Sequence, residues 1–261
     1  MTRLLSGVAL GAAALAAILF LPQLGLRLLA CLVAVVAARE YLRVLHQDGR
    51  RPRALPVLLL VVLTCWWMSS PAAGDLLVLL LVGLGWLAVE VLFRGLTVDR
   101  AAARFLAPWY IGMPLGMLAA VQAIGGRMAT LLLIATVVVS DSAQYYTGRV
   151  LGRRPLAPAI SPKKTIEGAA GGALLATLFL ALAGPRVLPP ASPVSLALLG
   201  LAIAALGICG DLFESRLKRI AGVKDSAALI PGHGGILDRI DALLFATPAF
   251  YLYMQRWVVG G

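Results

Sequence analysis

Long apolar runs broken by short charged intervals organise this chain, and reading them end to end gives nine segments, at approximately 4 to 21, 24 to 39, 55 to 71, 75 to 93, 105 to 123, 127 to 140, 168 to 185, 194 to 213 and 241 to 258. The runs are rich in Leu, Ala and Val without alternation. They therefore predict helices, because a spanning barrel would show alternating segments of about ten residues. A crossing helix takes about 20 apolar residues, so a chain of this length holds at most about nine or ten crossings with tight connections. The predicted fold class is all-α, a polytopic membrane protein with about nine transmembrane helices. The first run is read as a retained helix rather than a signal peptide. Its apolar core exceeds the roughly 7–15 residues of a signal sequence, and a second span follows almost at once.

Composition agrees with the pattern: 61% of residues are hydrophobic, against roughly 45–50% in a soluble domain. No fixed-period repeat and no low-complexity linker divides the chain, and the nearest thing to a linker is the Pro-rich stretch from Pro185 to Pro193. Cys31, Cys65 and Cys209 lie inside apolar runs without ligand spacing and read as small hydrophobes, implying neither disulfide nor zinc.

Charge orients the helices. The nine-helix reading puts nineteen of the 23 Lys and Arg on one side, leaving Arg27, Arg127, Arg186 and Arg256 on the other. By the positive-inside rule the N-terminus is cytoplasmic, and the predicted location is the cell's inner membrane with the site facing the cytoplasm. A net charge of +11 gathered at one face suits anionic headgroups and anionic cytosolic solutes such as nucleotides. Nucleic acid fits poorly, since the basic residues sit in short loops with no aromatic platform beside them.

Acids divide the chain. Residues 1 to 140 hold Glu40, Asp48, Asp75, Glu90 and Asp99, all near helix ends or in loops, and read as a transmembrane scaffold. Glu90 and Arg94 fall one turn apart, which suggests an interfacial ion pair. Residues 141 to 261 hold the other seven acids and read as the catalytic transmembrane region of one integral membrane unit.

In the first polar stretch, Asp141 is followed by Ile160-Ser-Pro-Lys-Lys-Thr-Ile-Glu-Gly168. Lys163 and Lys164 stand just ahead of a helix expected to open near Thr165, where free N–H groups and the positive dipole end would favour phosphate. An ordinary anchor, with Pro162 as helix starter and Thr165 as cap, explains the lysines equally well. Ser161 and Glu167 beside them favour a site. In the second stretch, Asp211, Glu214, Ser215 and Lys218 share one helical face that begins at membrane depth. An unpaired carboxylate is costly there, which favours a ligand role for Asp211. Lys224 and Asp225 follow, and then Gly232-His233-Gly234-Gly235, whose glycines permit a tight turn close to a ligand. Asp238 and Asp241 lie one turn apart and can aim two carboxylates at a cation, although acids at a helix start also complement its dipole.

The run from Ser215 through Lys218-Arg219, Lys224-Asp225 and Pro231-Gly-His-Gly-Gly235 to Asp238-Arg239-Ile-Asp241 resembles the signature of the phosphatidate cytidylyltransferases, or CDP-diacylglycerol synthases. The segments at Asp141 and Ile160–Gly168 are similar to that family's other cytoplasmic motifs. Ala143-Gln144-Tyr145 departs from the Gly-Ala-Tyr-like run that usually follows the first of these acids. The resemblance implies transfer of a cytidylyl group from CTP to phosphatidic acid, with pyrophosphate released, in phospholipid biosynthesis. Two anions must meet in that reaction, so divalent cations and basic side chains are needed to offset repulsion. Mg²⁺ is the expected ion, since it takes one or two carboxylates plus substrate phosphates. Whether a monovalent cation joins it is left open. Asp211 and Asp238 are the expected principal ligands, with Asp241 and Asp141 secondary. Lys163, Lys164, Lys218, Arg219, Lys224 and Arg239 are expected on the triphosphate or pyrophosphate, with Ser161, Thr165, Glu167, Ser215, Asp225, Gly234 and Gly235 also lining the substrate site. His233 is expected to orient rather than act as base, because a phosphate monoester is already largely ionised near pH 7. Membrane lipids are the expected surroundings, and oligomeric state is left open, a homodimer among the options. Alternatives are a CTP-dependent polyprenol kinase, a cytidylyltransferase acting on an ether lipid, or an anion transporter. The last lacks the paired midplane breaks of such folds.

Overall fold

The computed structural model describes residues 2–45, 54–70, 76–93, 96–227 and 234–256. Its helices are α1 (Thr2–Phe20), α2 (Gln23–Leu45), α3 (Ala54–Met68), α4 (Leu76–Leu92), α5 (Val98–Ala107), α6 (Met113–Leu151), α7 (Ile166–Ala183), α8 (Pro193–Ile220) and α9 (Leu237–Met254). By length and apolar composition, the helical runs Val98–Leu151, Ile166–Val187 and Pro193–Ile220 suffice to cross a membrane, and Gly7–Phe20, Ala54–Met68 and Val78–Leu92 are shorter apolar helices.

The run from Val98 is continuous but not straight. A wide π turn at Pro108–Gly112 joins α5 to α6, and Gly126 interrupts α6 with φ 72° and ψ −173°. Tyr110 meets Phe213 and Phe245 edge to face, while Asp141 lies in one cavity with Asp211 and Asp241, so both positions sit at the same end of the molecule. Some thirty residues of straight helix would carry them about 45 Å apart. The chain therefore doubles back at Gly126, a left-handed position that only glycine takes without strain, and the expected separation of runs 105 to 123 and 127 to 140 reflects this reversal.

Helices α6, α7, α8 and α9 pack in sequence, with α9 closing back on α6. Leu133, Leu180, Leu196, Ile203 and Phe250 are fully buried between them. In lipid, helices associate by close packing rather than by escape from water, which favours small residues where backbones meet. At the α7–α8 seam, a Cβ on Gly200 would lie 2.7 Å from the Ala176 carbonyl oxygen. At the α6–α7 seam, one on Gly172 would lie 2.8 Å from the Ser140 carbonyl oxygen. A second apolar cluster, including Tyr41, Leu42, Val61 and Ile111, joins α2 and α3 to this bundle.

The expectation of an all-α chain holds, with one short exception. Between α6 and α7, strands β1 (Pro155–Ala157) and β2 (Ser161–Thr165) form an antiparallel hairpin, with Pro155 opposite Thr165 and Ala157 opposite Ser161. Pro162 accordingly sits in a strand, not at a helix start. Glu90 is fully buried and pairs with Arg104 at 2.8 Å, while Arg94 lies outside the described residues.

Candidate active site

A cavity of about 720 Å³ opens where the C-terminal ends of α6 and α8, the hairpin and the N-terminal ends of α7 and α9 converge. Of the residues expected at a site, Asp141, Lys163, Lys164, Thr165, Asp211, Lys218, Asp225, Asp238, Arg239 and Asp241 line it. Glu214, Gln144, Tyr145 and Arg149 line it too and were not singled out as site residues.

Two kinds of carboxylate face this space. Asp238 is committed to the protein: Lys218 Nζ donates to its Oδ1 at 2.6 Å, and its Oδ2 accepts from the Ser226 N–H, the Ser226 hydroxyl and the Gly235 N–H at 3.1, 2.9 and 2.7 Å. Lys218 also donates to Glu214 at 2.7 Å, so one ammonium is shared by two carboxylates and its side chain is only 13% exposed. Asp211 is ion-paired to Lys164 and accepts from the Ser215 hydroxyl at 3.2 Å. Asp141, Asp211 and Asp241 lie within electrostatic reach of one another, a repulsion that Lys164 and Lys218 partly offset.

Local sequence explains these placements. Thr165 caps α7, its hydroxyl accepting from the Gly168 N–H at 3.1 Å, as its position before the apolar run predicts. The hairpin then presents Lys163 and Lys164 ahead of that helix start. Gly234, with φ 77°, turns the backbone so that the Gly235 N–H meets Asp238.

Several expected residues support the cavity without lining it. The Glu167 carboxylate accepts from the Arg153 and Arg154 N–H groups at 3.0 and 3.2 Å, tying the end of α6 to the start of α7. Ser215 touches Asp211, Arg219 reaches the Ile160 carbonyl at 3.5 Å, and Gly234 and Gly235 serve Asp238. Ser161 sits in the hairpin, and Lys224 is exposed beside Asp225. His233 lies outside the described residues.

Sequence reasoning passed over Glu40. This α2 carboxylate is 2% exposed and accepts from the Ile236 and Leu237 N–H groups at 3.0 and 2.8 Å and from the Ser226 hydroxyl at 3.1 Å. It thereby caps α9 from the other end of the chain, a task normally done by a residue adjacent in sequence. The available signal was an acid continuing an apolar run, and its nearness to a helix end made it read as scaffold.

A model of the cytidylyltransferase family matches residues 1–257. The chain belongs to the cytidylyltransferase family. Among relatives of this family member, the phosphatidate cytidylyltransferase of Pseudomonas aeruginosa is 35% identical over 227 residues, 82% of this chain and 80% of that protein. That of Bacillus subtilis is 39% identical over 160 residues, 60% of each chain. An uncharacterized protein of Escherichia coli, YnbB, is 44% identical over 131 residues, 50% of this chain and 44% of its own length. The matched stretch thus spans only about half the length of some of these relatives. Cytidylyltransferase chemistry fits the cavity: it can offset a polyanion with lysines while carboxylates remain to hold a cation.

Proposed function

We propose that this protein transfers a cytidylyl group from CTP to phosphatidic acid, giving CDP-diacylglycerol and pyrophosphate, at the cytoplasmic face of the inner membrane. The observation that carries this reading is the gathering of both charges around one cavity: Lys163, Lys164 and Arg239 beside the mutually repelling Asp141, Asp211 and Asp241, with Lys164 already on Asp211. Relatives named as phosphatidate cytidylyltransferases support the choice of substrates.

In this scheme the lipid phosphate oxygen attacks the α-phosphorus of CTP, the new P–O bond forms, and the α–β bridge breaks to release pyrophosphate. No covalent enzyme intermediate is needed. Lys163 and Lys164, at the mouth of α7, bind the triphosphate and stabilise charge on the leaving group. Lys218 is held by Glu214 and Asp238 and fixes the α8–α9 wall. Among the described residues, no three acidic, His or Cys side chains form a ready metal cage. Mg²⁺ needs no such cage, since it takes one or two carboxylates and completes its shell with phosphate and water. Asp211 with Asp241 or Asp141 would hold it once Lys164 moves from Asp211 to phosphate; Asp238, expected as a principal ligand, is the more buried and its two oxygens accept four hydrogen bonds. Bound Mg²⁺ would neutralise phosphate charge that the lysines leave. About nine membrane crossings with a cytoplasmic N-terminus follow from the apolar runs and from the bias of basic residues.

The test is a purified-enzyme assay offering CTP labelled at either the α- or the γ-phosphate with phosphatidic acid, an ether-linked analogue or polyprenol. α-Label on phosphatidic acid is the expected result. γ-Label on polyprenol overturns the proposal in favour of a kinase.

A further inference from the structure

Directly beside the charged cavity lies a second one of about 310 Å³, lined by apolar side chains that include Trp109, Met113, Phe213, Phe245 and Pro248. It is formed where two helix irregularities face each other, the π turn at Pro108–Gly112 and the proline inside α9. Such departures from regular helix open space that straight rods would close. Leu106 at its mouth is exposed, and most of the other walls are half-buried, so the pocket communicates with the apolar outer surface.

Two helices serve both cavities. On α9, Asp238 and Asp241 line the charged space and Leu244, Phe245 and Pro248 the apolar one, while on α8 Asp211, Glu214 and Lys218 face the charged space and Phe213 the apolar one. At the boundary stand Tyr110, which lines the apolar pocket, and Glu214, which lines the charged cavity, within electrostatic reach of each other. The Tyr110 hydroxyl and Glu214 Oε1 are both buried and, among the described residues, both lack a hydrogen-bond partner. Buried polar atoms left unsatisfied are costly and call for an explanation.

We propose that the apolar pocket seats the first part of an acyl chain of the lipid acceptor, with the Tyr110 hydroxyl donating to the ester carbonyl between chain and headgroup. Along α9 the wall runs from Asp238 and Asp241 to Phe245 and Pro248, with the Tyr110 hydroxyl and Glu214 Oε1 at the boundary, which matches the order of groups along a phosphoglyceride: phosphate, ester, hydrocarbon. A volume of 310 Å³ is at the low end of the roughly 300–1,000 Å³ of small-molecule sites and takes part of one chain, not a whole lipid. This assignment rests on the acceptor being an acyl lipid, as proposed above.

The test has an arm that does not require turnover. Phosphatidic acid carrying a diazirine near the carbonyl end of its acyl chain is photolysed with the intact protein in vesicles, and the labelled peptides are mapped. Label is expected on 106–114 and on the Phe213 or Phe245 region, suppressed by excess dioleoyl phosphatidic acid but not by phosphatidylcholine. Equal suppression by both lipids identifies an ordinary boundary lipid and overturns the seat, as does label confined to other helices. In the kinetic arm, Tyr110→Phe is expected to lower kcat/KM for the diacyl acceptor about fivefold, the scale of one hydrogen bond. The value for a dialkyl ether analogue, which has no carbonyl, and KM for CTP should stay unchanged. Met113→Trp, which fills the pocket, should raise KM for dioleoyl but not dihexanoyl phosphatidic acid. Identical losses on all acceptors would sink the assignment, while transfer to a different lipid class altogether would instead refute the proposed function.

Discussion

Asp211 and Asp238 have the same side chain and opposite situations. Asp238 is 7% exposed at its side chain and spends both oxygens on Lys218, Ser226 and Gly235, whereas Asp211 is 38% exposed and meets Lys164 at the cavity wall. Replacing them by Asn should therefore fail differently. Asp211→Asn is expected to lower kcat on the order of 10²-fold, the scale of one electrostatic contact in the transition state, and to raise the Mg²⁺ concentration needed, with little change in thermal midpoint. Asp238→Asn leaves Lys218 with one carboxylate fewer and should destabilise the fold by about 3 kcal/mol, read as a lower unfolding temperature in detergent. Both aspartates were legible from residue type and spacing. Their division of labour was not, because it depends on Ser226 and the Gly235 N–H, which carry no charge pattern. Glu40 was invisible for a related reason, since its partners are backbone N–H groups far along the chain. Glu40→Gln puts an amide N–H₂ against those donors and should cost about 1–3 kcal/mol. Thermal unfolding monitored with and without CTP measures this.

Among the elements, the apolar runs foretold most helices because length and Leu-rich composition are local properties. The hairpin escaped for want of signal: its strands have three and five residues and carry Pro155 and Pro162, which argue against strand. The π turn likewise reflects tertiary packing rather than propensity, whereas the extension of α8 to Ile220 was legible in the shared face of Asp211, Glu214, Ser215 and Lys218. Helix seams, by contrast, hang on single glycines. Gly200→Val forces a side chain into the α7 backbone and should cost about 1–3 kcal/mol as overpacking. Gly85→Ala in α4, where a Cβ meets nothing within 4 Å, should instead be neutral or slightly stabilising. Melting temperatures of the two purified variants decide the comparison.

Across the whole molecule, the reading of an N-terminal scaffold and a C-terminal catalytic region describes where the charges lie but not how the site is held. The proposed orientation makes a clean forecast in a cysteine-free background. Pro189→Cys, between α7 and α8, should react with a membrane-impermeant maleimide on intact cells from outside, and Ala159→Cys, in the hairpin turn, only after the inner membrane is breached. The reverse pattern would invert the topology. The signature near residue 230 encodes half of its own architecture. Any chimera that grafts residues 141–261 onto a foreign amino-terminal half must also import an oxygen acceptor 196 positions upstream of Ile236, or its last helix begins with bare N–H groups and Ser226 loses a partner.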